Sequence, residues 1–219
     1  MKRKPYFLAA VCFLAAFLFW TIAVTAVDVQ PIGPEGSSVG LAGLNGFFHG
    51  LTGVHLGLYI LTDWLSLIPF LFVLGFGILG LVQWVRRKSL WKVDRSILAL
   101  GGYYLLSGAF YGFFEKCVIN YRPVLIEGVL EASYPSSTTM LVLCVMLTAR
   151  MQVLWRISNP VIRRFLSTAI ECFTLFMVVA RAVSGVHWLT DILGGALLSA
   201  GLVMLYPAVC NLTVIQPCE

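Results

Sequence analysis

A histidine and an aspartate four residues apart, His187 and Asp191, have the types and the spacing that catalysis needs. On a helix, residues at positions i and i+4 share a face, so the carboxylate can hold one ring nitrogen of the histidine and leave the other free. A neutral imidazole oriented in this way is a competent nucleophile at phosphorus. The alternative is an ion-paired helix cap in a connecting loop, without a catalytic role.

Two arginines accompany this pair. Arg181 lies six residues before His187, and Arg122 is followed by Pro123, which restricts the backbone of the arginine. Planar guanidinium groups bind phosphoryl oxygens through paired hydrogen bonds, and they neutralise charge that develops during phosphoryl transfer. No cluster of Asp and Glu residues suggests a metal, so we expect a phosphoryl site with neither metal nor other cofactor.

Four hydroxyl side chains follow Pro135 in the stretch SYPSSTTM. The proline favours the start of a helix, and Ser136 or Ser137 is then a natural N-cap. The free N–H groups and the dipole at such a helix end bind anions. Capping needs only one hydroxyl, and hydroxyls also pack between membrane helices, but four in succession favour an anion site. We therefore expect Ser136, Ser137 and Thr138 to contact a phosphate group.

The elements that position these groups are predicted to cross a membrane. The 219-residue chain is 59% apolar and 11% charged, and its mean hydropathy is +0.90, whereas a soluble domain carries about twice this share of charge. The sequence predicts an all-α, polytopic membrane protein, a six-helix bundle in a single domain over residues 1–219. Its apolar spans reach or approach the roughly 20 residues that a bilayer requires: 6–27, 62–85, 97–114, 137–149 (extended if 151–155 continue it), 165–181 and 188–209.

Basic residues predict the orientation of these spans. All but three of the fifteen Lys and Arg residues precede the first span or lie between spans two and three or four and five. This side is therefore expected to be the cytoplasm, with both termini on it, and the membrane to be the plasma membrane. Lys116, Arg122 and Arg181 fall on the outer side, where basic groups mark a site more often than a loop. Snorkelling to lipid phosphates is the alternative.

Three further features exclude other classes of protein. The first apolar stretch is too long for a signal peptide, so we expect an uncleaved membrane helix. The six cysteines contain no C-x-x-C pair, which argues against zinc and redox motifs. The net charge of +5 is explained by cytoplasmic loops, so we expect the bilayer and a membrane lipid as partners and no nucleic acid. No sequence feature indicates an oligomeric state.

The first loop (residues 27–57) is rich in Gly and Pro and is predicted to lie along the membrane surface or to close over the site. It contains His49 and His55. A lone histidine is more often structural than catalytic, so neither is assigned a direct role.

The segment ARAVSGVHWLTD resembles the third motif, Ser-Arg-x5-His-x3-Asp, of the type 2 phosphatidic acid phosphatase (PAP2) family of membrane lipid phosphatases, with Ala180 in place of the serine. YRP supplies Arg122 and Pro123 of the first motif, Lys-x6-Arg-Pro. PSST aligns with the second motif, Pro-Ser-Gly-His, through its proline and Ser136. The resemblance covers the six-span layout and the whole predicted site.

The resemblance implies a role for each matching residue. His187 is similar to the nucleophile that forms a phosphohistidine, and Asp191 to its orienting partner. Arg122 and Arg181 correspond to phosphate ligands, with Ser136 beside them.

One departure from the family pattern concerns the lysine of the first motif. The family lysine lies seven residues before the arginine, and here that position is Glu115, with Lys116 as its neighbour. On a continuous helix one residue means a rotation of about 100°, so Lys116 reaches the site only if the helix ends before Arg122. Pro123 favours such an end, and we expect Lys116 to bind phosphate.

A second departure concerns the acid. The family histidine that protonates the leaving group aligns with Thr138, and Ser137 replaces the glycine. Losing general acid catalysis costs roughly 10²–10⁴ in rate when the leaving group is an alkoxide, but a phosphate leaves without a proton donor. The substitution therefore favours a lipid diphosphate as substrate. Outer residues that could supply another acid are His49, His55, Glu127 and Glu131.

The sequence thus favours a membrane lipid phosphatase that prefers a lipid diphosphate, such as a polyprenyl diphosphate, and works through a phosphohistidine at His187. The alternative is a catalytically impaired relative that binds or transports a phosphorylated lipid. The related vanadate-dependent haloperoxidases share this type of site, but they are soluble, and the apolar spans exclude them.

Overall fold

A computed structural model describes residues 3–210 of the chain. Six stretches of this part are long and apolar enough to cross a membrane, with α3 and α4 counting as one stretch, Leu56–Arg87. The predicted all-α membrane protein with six spans is confirmed. The helices are α1 (Arg3–Ala26), α2 (Ala42–Thr52), α3 (Leu56–Leu65), α4 (Leu67–Arg87), α5 (Arg95–Lys116), α6 (Ser137–Arg156), α7 (Pro160–Val183) and α8 (Leu189–Cys210).

Three spans are clearly longer than predicted. The fourth runs on to Arg156, as the continuation through 151–155 anticipated, the second begins at Leu56 instead of residue 62, and the fifth begins at Pro160 instead of residue 165. The prediction differs here because the Gly-rich first loop was taken to run to residue 57, which includes the first residues of α3. The two ends of the chain, including Lys2 and the C-terminus expected in the cytoplasm, lie outside the described residues.

Helices α6 and α8 form the centre of the bundle. In each, 61% of the most apolar window is buried inside the protein, against 6% for the α3–α4 stretch. Close packing at the site end depends on Gly194 of α8, where a Cβ atom would lie 2.6 Å from the ring of Tyr134. Most apolar side chains of α4 are exposed, as the lipid-facing surface of a membrane helix requires, while Ile68 and Phe72 pack against the core.

A polar network closes the end of the bundle away from the site. Asp94, just before α5, accepts hydrogen bonds from Arg87 of α4 at 2.9 Å and from Arg156 of α6 at 3.0 Å. The side chain of Gln83 donates to the same carboxylate at 2.9 Å. This network ties together the ends of three helices.

The first loop packs on the start of α8. The amide of Asn45, in α2, is fully buried; it donates to the hydroxyl of Thr190 at 3.0 Å and accepts from the Thr190 N–H at 3.1 Å. The backbone N–H of His55 donates to the carbonyl of Ser184 at 2.9 Å. The loop therefore packs on the α7–α8 connection.

Candidate phosphoryl-transfer site

The site forms where two connections meet, the α5–α6 loop and the short α7–α8 loop. His187 lies in the second of these and is 4% exposed. Beside it, the backbone N–H of Ser136 donates to the carbonyl of Asp191 at 3.0 Å, which joins the start of α6 to the first turn of α8. The central helices thereby fix the relative position of both loops.

His187 and Asp191 are brought together, but a third residue lies between them. The hydroxyl of Ser133 donates to Oδ2 of Asp191 at 2.5 Å and lies 2.8 Å from Nδ1 of His187. Nδ1 is 4.0 Å from the same Oδ2, which is too long for a direct hydrogen bond. The orienting contact predicted for Asp191 is therefore made through Ser133.

The carboxylate of Asp191 is fully buried and accepts hydrogen bonds on both oxygens. Oδ2 accepts from the backbone N–H of Trp188 at 2.9 Å as well as from Ser133, and Oδ1 accepts from the amide of Asn120 at 3.2 Å. Three donors hold this carboxylate in one orientation.

The second ring nitrogen of His187, Nε2, is buried and has no hydrogen-bond partner among residues 3–210. Burial lowers the pKa of His187 well below its usual value, and the positive charges of Arg122 and Arg181 lower it further. The lowered pKa favours a neutral imidazole near pH 7.

Arg181 is held from the side of α3. The arginine is 2% exposed, its Nη1 donates to the hydroxyl of Thr62 at 3.0 Å, and its Nη2 lies 3.8 Å from a carboxylate oxygen of Asp63. The guanidinium carbon lies 4.7 Å from the centre of the Tyr59 ring. These contacts leave Nε of Arg181 buried without a partner among the described residues.

Arg122 shares the same aromatic ring. Its guanidinium carbon is 5.7 Å from the centre of the Tyr59 ring, and its Nε forms a 3.0 Å ion pair with Glu131. Its Nη1 is buried and has no hydrogen-bond partner in the described part of the chain. Two buried cations are thus arranged around one ring, and each has an N–H group that could bind an anion.

Ser136, one of the two residues predicted as N-cap, caps α6. Its buried hydroxyl accepts a long hydrogen bond from the Thr139 N–H at 3.4 Å. Ser137 and Thr138 line a groove of about 430 Å³ between α4, α5 and α6, whose other walls are mainly apolar. The hydroxyl of Thr139 is buried and unpaired within the described residues.

The two candidates for the lysine of the first motif differ in position. Glu115 lines a small cavity together with Tyr111, Ser133 and Ser137. Lys116 is exposed at the end of α5, which stops before Arg122 as its reach requires, but it is not among the residues that line this cavity. Phosphate binding by Lys116 stays a prediction.

The four residues considered as substitute acids lie in different surroundings. The ring of His49 meets the ring of Trp188 edge-on at 5.4 Å, and burial lowers the pKa of His49. His55 is exposed, and its Nε2 lies 2.9 Å from the carbonyl of Thr52. Glu127 is exposed in the α5–α6 loop. Of the four, Glu131 contacts a predicted phosphate ligand, through its ion pair with Arg122.

Comparison with known proteins identifies the fold. No protein-family model matches the sequence, and no curated protein matches it. The crystal structure described as the first transmembrane PAP2 type phosphatidylglycerolphosphate phosphatase from Bacillus subtilis is similar to this chain, with 20% sequence identity, 91% of this chain and 94% of that chain covered, and a TM-score of 0.56. This chain has the PAP2-type membrane fold. The fold implied by the resemblance of the motifs is thereby confirmed.

Several residues of this candidate site were not predicted. Ser133 and Asn120 lie in stretches that the motifs single out, but neither matches a motif position. Tyr59 and Thr62 belong to α3, which the hydropathy pattern divides between the first loop and the second span. Their contacts join residues more than 50 positions apart, so spacing along the chain carries no signal for them. The described residues contain no group of three or more His, Cys, Asp or Glu side chains arranged to hold a metal.

Proposed function

We propose that the chain is a membrane lipid phosphatase that works through a phosphohistidine at His187. The observation that carries the proposal is the buried Nε2 of His187, which is free of partners in the described residues and close enough to Arg122 and Arg181 for their charges to depress its pKa. A neutral nucleophilic nitrogen beside two cations with unused N–H groups suits a phosphoryl group.

The reaction would proceed in two displacements. In the first, the lone pair of Nε2 attacks phosphorus, a P–N bond forms, and the bond to the bridging oxygen breaks with its electron pair leaving on that oxygen. In the second, water attacks phosphorus, the P–N electron pair returns to His187, and inorganic phosphate leaves with the protons of the water. Arg122 and Arg181 would neutralise the equatorial oxygens in both displacements.

The preferred substrate within this proposal is a lipid diphosphate. Thr138 occupies the position of the family's acid, and a threonine hydroxyl does not donate a proton to an alkoxide near neutral pH. A phosphate leaving group does not need that proton. The mainly apolar groove that begins at Ser137 and Thr138 and continues past Phe70 and Val145 suits the tail of such a lipid.

The test is phosphate release by the purified chain from a panel of matched lipid mono- and diphosphates. We expect release from the diphosphates, and a loss of at least about 10⁴-fold in His187→Ala, because the nucleophile is removed. His55→Ala is the matched control, since His55 is exposed and its Nε2 lies 2.9 Å from the backbone carbonyl of Thr52. Equal turnover in the native chain and His187→Ala would contradict the proposal.

The choice of leaving group is tested with Thr138→His in the same panel. Restoring an acid at this position is expected to raise monophosphate hydrolysis by about 10²–10⁴-fold and to change diphosphate hydrolysis little. A native chain that prefers monophosphates would contradict the preference for a diphosphate while leaving the phosphatase proposal intact.

The second candidate function is binding or transport of a phosphorylated lipid without hydrolysis, and Thr138 is the observation that favours it. In that case the panel gives no phosphate release, the native chain binds the head group, and Arg122→Ala combined with Arg181→Ala abolishes binding. Tight binding that survives in the double variant would exclude this function for the site.

A further inference from the structure

We propose that Ser133 is a positioning residue that fixes the tautomer of His187 and relays the charge of Asp191 to the ring. The inference rests on the proposed role of His187 as nucleophile. The geometry behind it is a chain of two short hydrogen bonds, from Nδ1 of His187 to the Ser133 hydroxyl at 2.8 Å and from that hydroxyl to Asp191 at 2.5 Å.

The direction of these hydrogen bonds follows from the count of protons. A serine hydroxyl carries one proton, and a carboxylate oxygen only accepts, so the proton of Ser133 points to Asp191. The contact between Ser133 and Nδ1 is then a hydrogen bond only if Nδ1 carries a proton and donates it. A neutral ring with its proton on Nδ1 has its lone pair on Nε2, the atom that is left without a partner among the described residues.

The same chain of hydrogen bonds matters during attack on phosphorus. When Nε2 forms its bond to phosphorus while Nδ1 keeps its proton, the ring becomes positively charged. The hydrogen bond from Nδ1 to Ser133 then strengthens, and the carboxylate of Asp191 stabilises the ring charge through the intervening hydroxyl. No proton has to move along the chain for this stabilisation.

The backbone on both sides of Ser133 is fixed, which a positioning residue requires. The Ser133 N–H donates to the carbonyl of Asn120 at 2.9 Å. The next residue, Tyr134, is 2% exposed, and its hydroxyl lies 2.6 Å from the hydroxyl of Thr21 in α1. Ser133 is itself 3% exposed, so its hydroxyl has little access to competing water.

The first experiment reads the tautomer directly and does not depend on activity. The full chain, labelled with ¹⁵N and ¹³C in histidine, contains three histidines, and His187→Ala assigns the signal of His187 by its absence. We expect the native ring to be protonated on Nδ1 and unprotonated on Nε2. Protonation of the native ring on Nε2 would overturn the inference without any variant being needed.

The second experiment compares Ser133→Ala with Ser133→Thr, which retains a hydroxyl. We expect Ser133→Ala to shift the His187 signals towards the Nε2-protonated tautomer and to lower kcat by about 10–100-fold with KM nearly unchanged, as is typical when the partner of a functional histidine is removed. Ser133→Thr should restore both readouts. Ser167→Ala is the control, because Ser167 is a buried hydroxyl of α7 with no hydrogen-bond partner in the described residues.

The outcomes separate this inference from the proposed function. An unchanged tautomer in Ser133→Ala, or an equal loss in Ser133→Thr, would overturn the positioning role even if the native chain is active. If the native chain releases no phosphate, the proposed function fails, while the tautomer of His187 still decides what Ser133 does.

Discussion

His187 is kept neutral by its surroundings at the scale of a single residue. Burial and two nearby guanidinium groups disfavour the protonated ring, so its pKa lies well below the usual 6.5. A nucleophile must be unprotonated, and a lowered pKa leaves it so at pH values where a free histidine is already charged. We therefore expect His187 to become protonated only at a lower pH than an exposed histidine would.

We predict that the acid limb of the pH profile of kcat/KM lies clearly below 6.5. Arg122→Gln removes one of the two charges that depress the pKa, so its acid limb should move to higher pH, in addition to any loss of phosphate binding. The measurement is kcat/KM from about pH 4.5 to 8 for both proteins on one diphosphate substrate. An acid limb of the native chain at or above 6.5 would contradict the electrostatic account.

Residues of the site differ in how far the sequence alone points to them. His187, Asp191, Arg122 and Arg181 were accessible from sequence because their types are costly in an apolar chain and therefore conspicuous. Ser133 was not, because its position between His187 and Asp191 depends on a contact across 54 residues of sequence. A hydroxyl beside other hydroxyls does not reveal which one contacts the ring.

At the scale of elements, the α7–α8 loop is fitted to the first loop through a pair of glycines. Gly185 has a φ of +69°, in the region that other residues rarely adopt, and a Cβ atom there would collide with the carbonyl oxygen of Gly53. Two residues later in the chain comes His187. The packing of the first loop therefore determines how the loop that carries His187 is held.

We predict that Gly185→Ala lowers the free energy of unfolding by about 1–3 kcal/mol, because it adds backbone strain and forces the two loops apart. Activity should fall with it, since the ring of His187 is displaced. Gly50→Ala is the matched control, because a Cβ atom at Gly50 in α2 meets nothing within 4 Å. Thermal unfolding in detergent and phosphate release measure the two effects, and a Gly185→Ala protein as stable and active as Gly50→Ala would refute the fit.

The elements themselves were predicted to different degrees. The six spans follow from the length of apolar sequence that a bilayer requires, and all six are present. Helix α2 and the early start of α3 were not predicted, because the Gly and Pro residues of segment 27–57 indicate a loop. Tertiary contacts with α7 and α8 hold these segments, and hydropathy does not report such contacts.

At the scale of the whole molecule, the orientation proposed from the basic residues places the site outside the cell. Cys117 is a free, exposed cysteine at the site end of α5, whereas Lys88 is exposed at the opposite end of the bundle. The two positions therefore report opposite sides of the membrane.

We predict that a membrane-impermeant maleimide added to intact cells labels a variant whose sole cysteine is Cys117. The same background with Cys117→Ser and Lys88→Cys should be labelled only after the cells are opened. The reverse pattern would show that the site faces the cytoplasm, and the rule of cytoplasmic basic loops would then fail for this chain.

The α3–α4 stretch is longer than a bilayer requires. It contains 32 residues, about 48 Å if fully helical, and so exceeds the roughly 30 Å hydrocarbon core of a bilayer. Such a stretch responds to membrane thickness by tilting or bending, and it is the least enclosed part of the bundle. Because it also carries Tyr59 and Thr62, which contact Arg181, tilting or bending of this stretch in a thinner or thicker bilayer would act on the contacts of Arg181 as well.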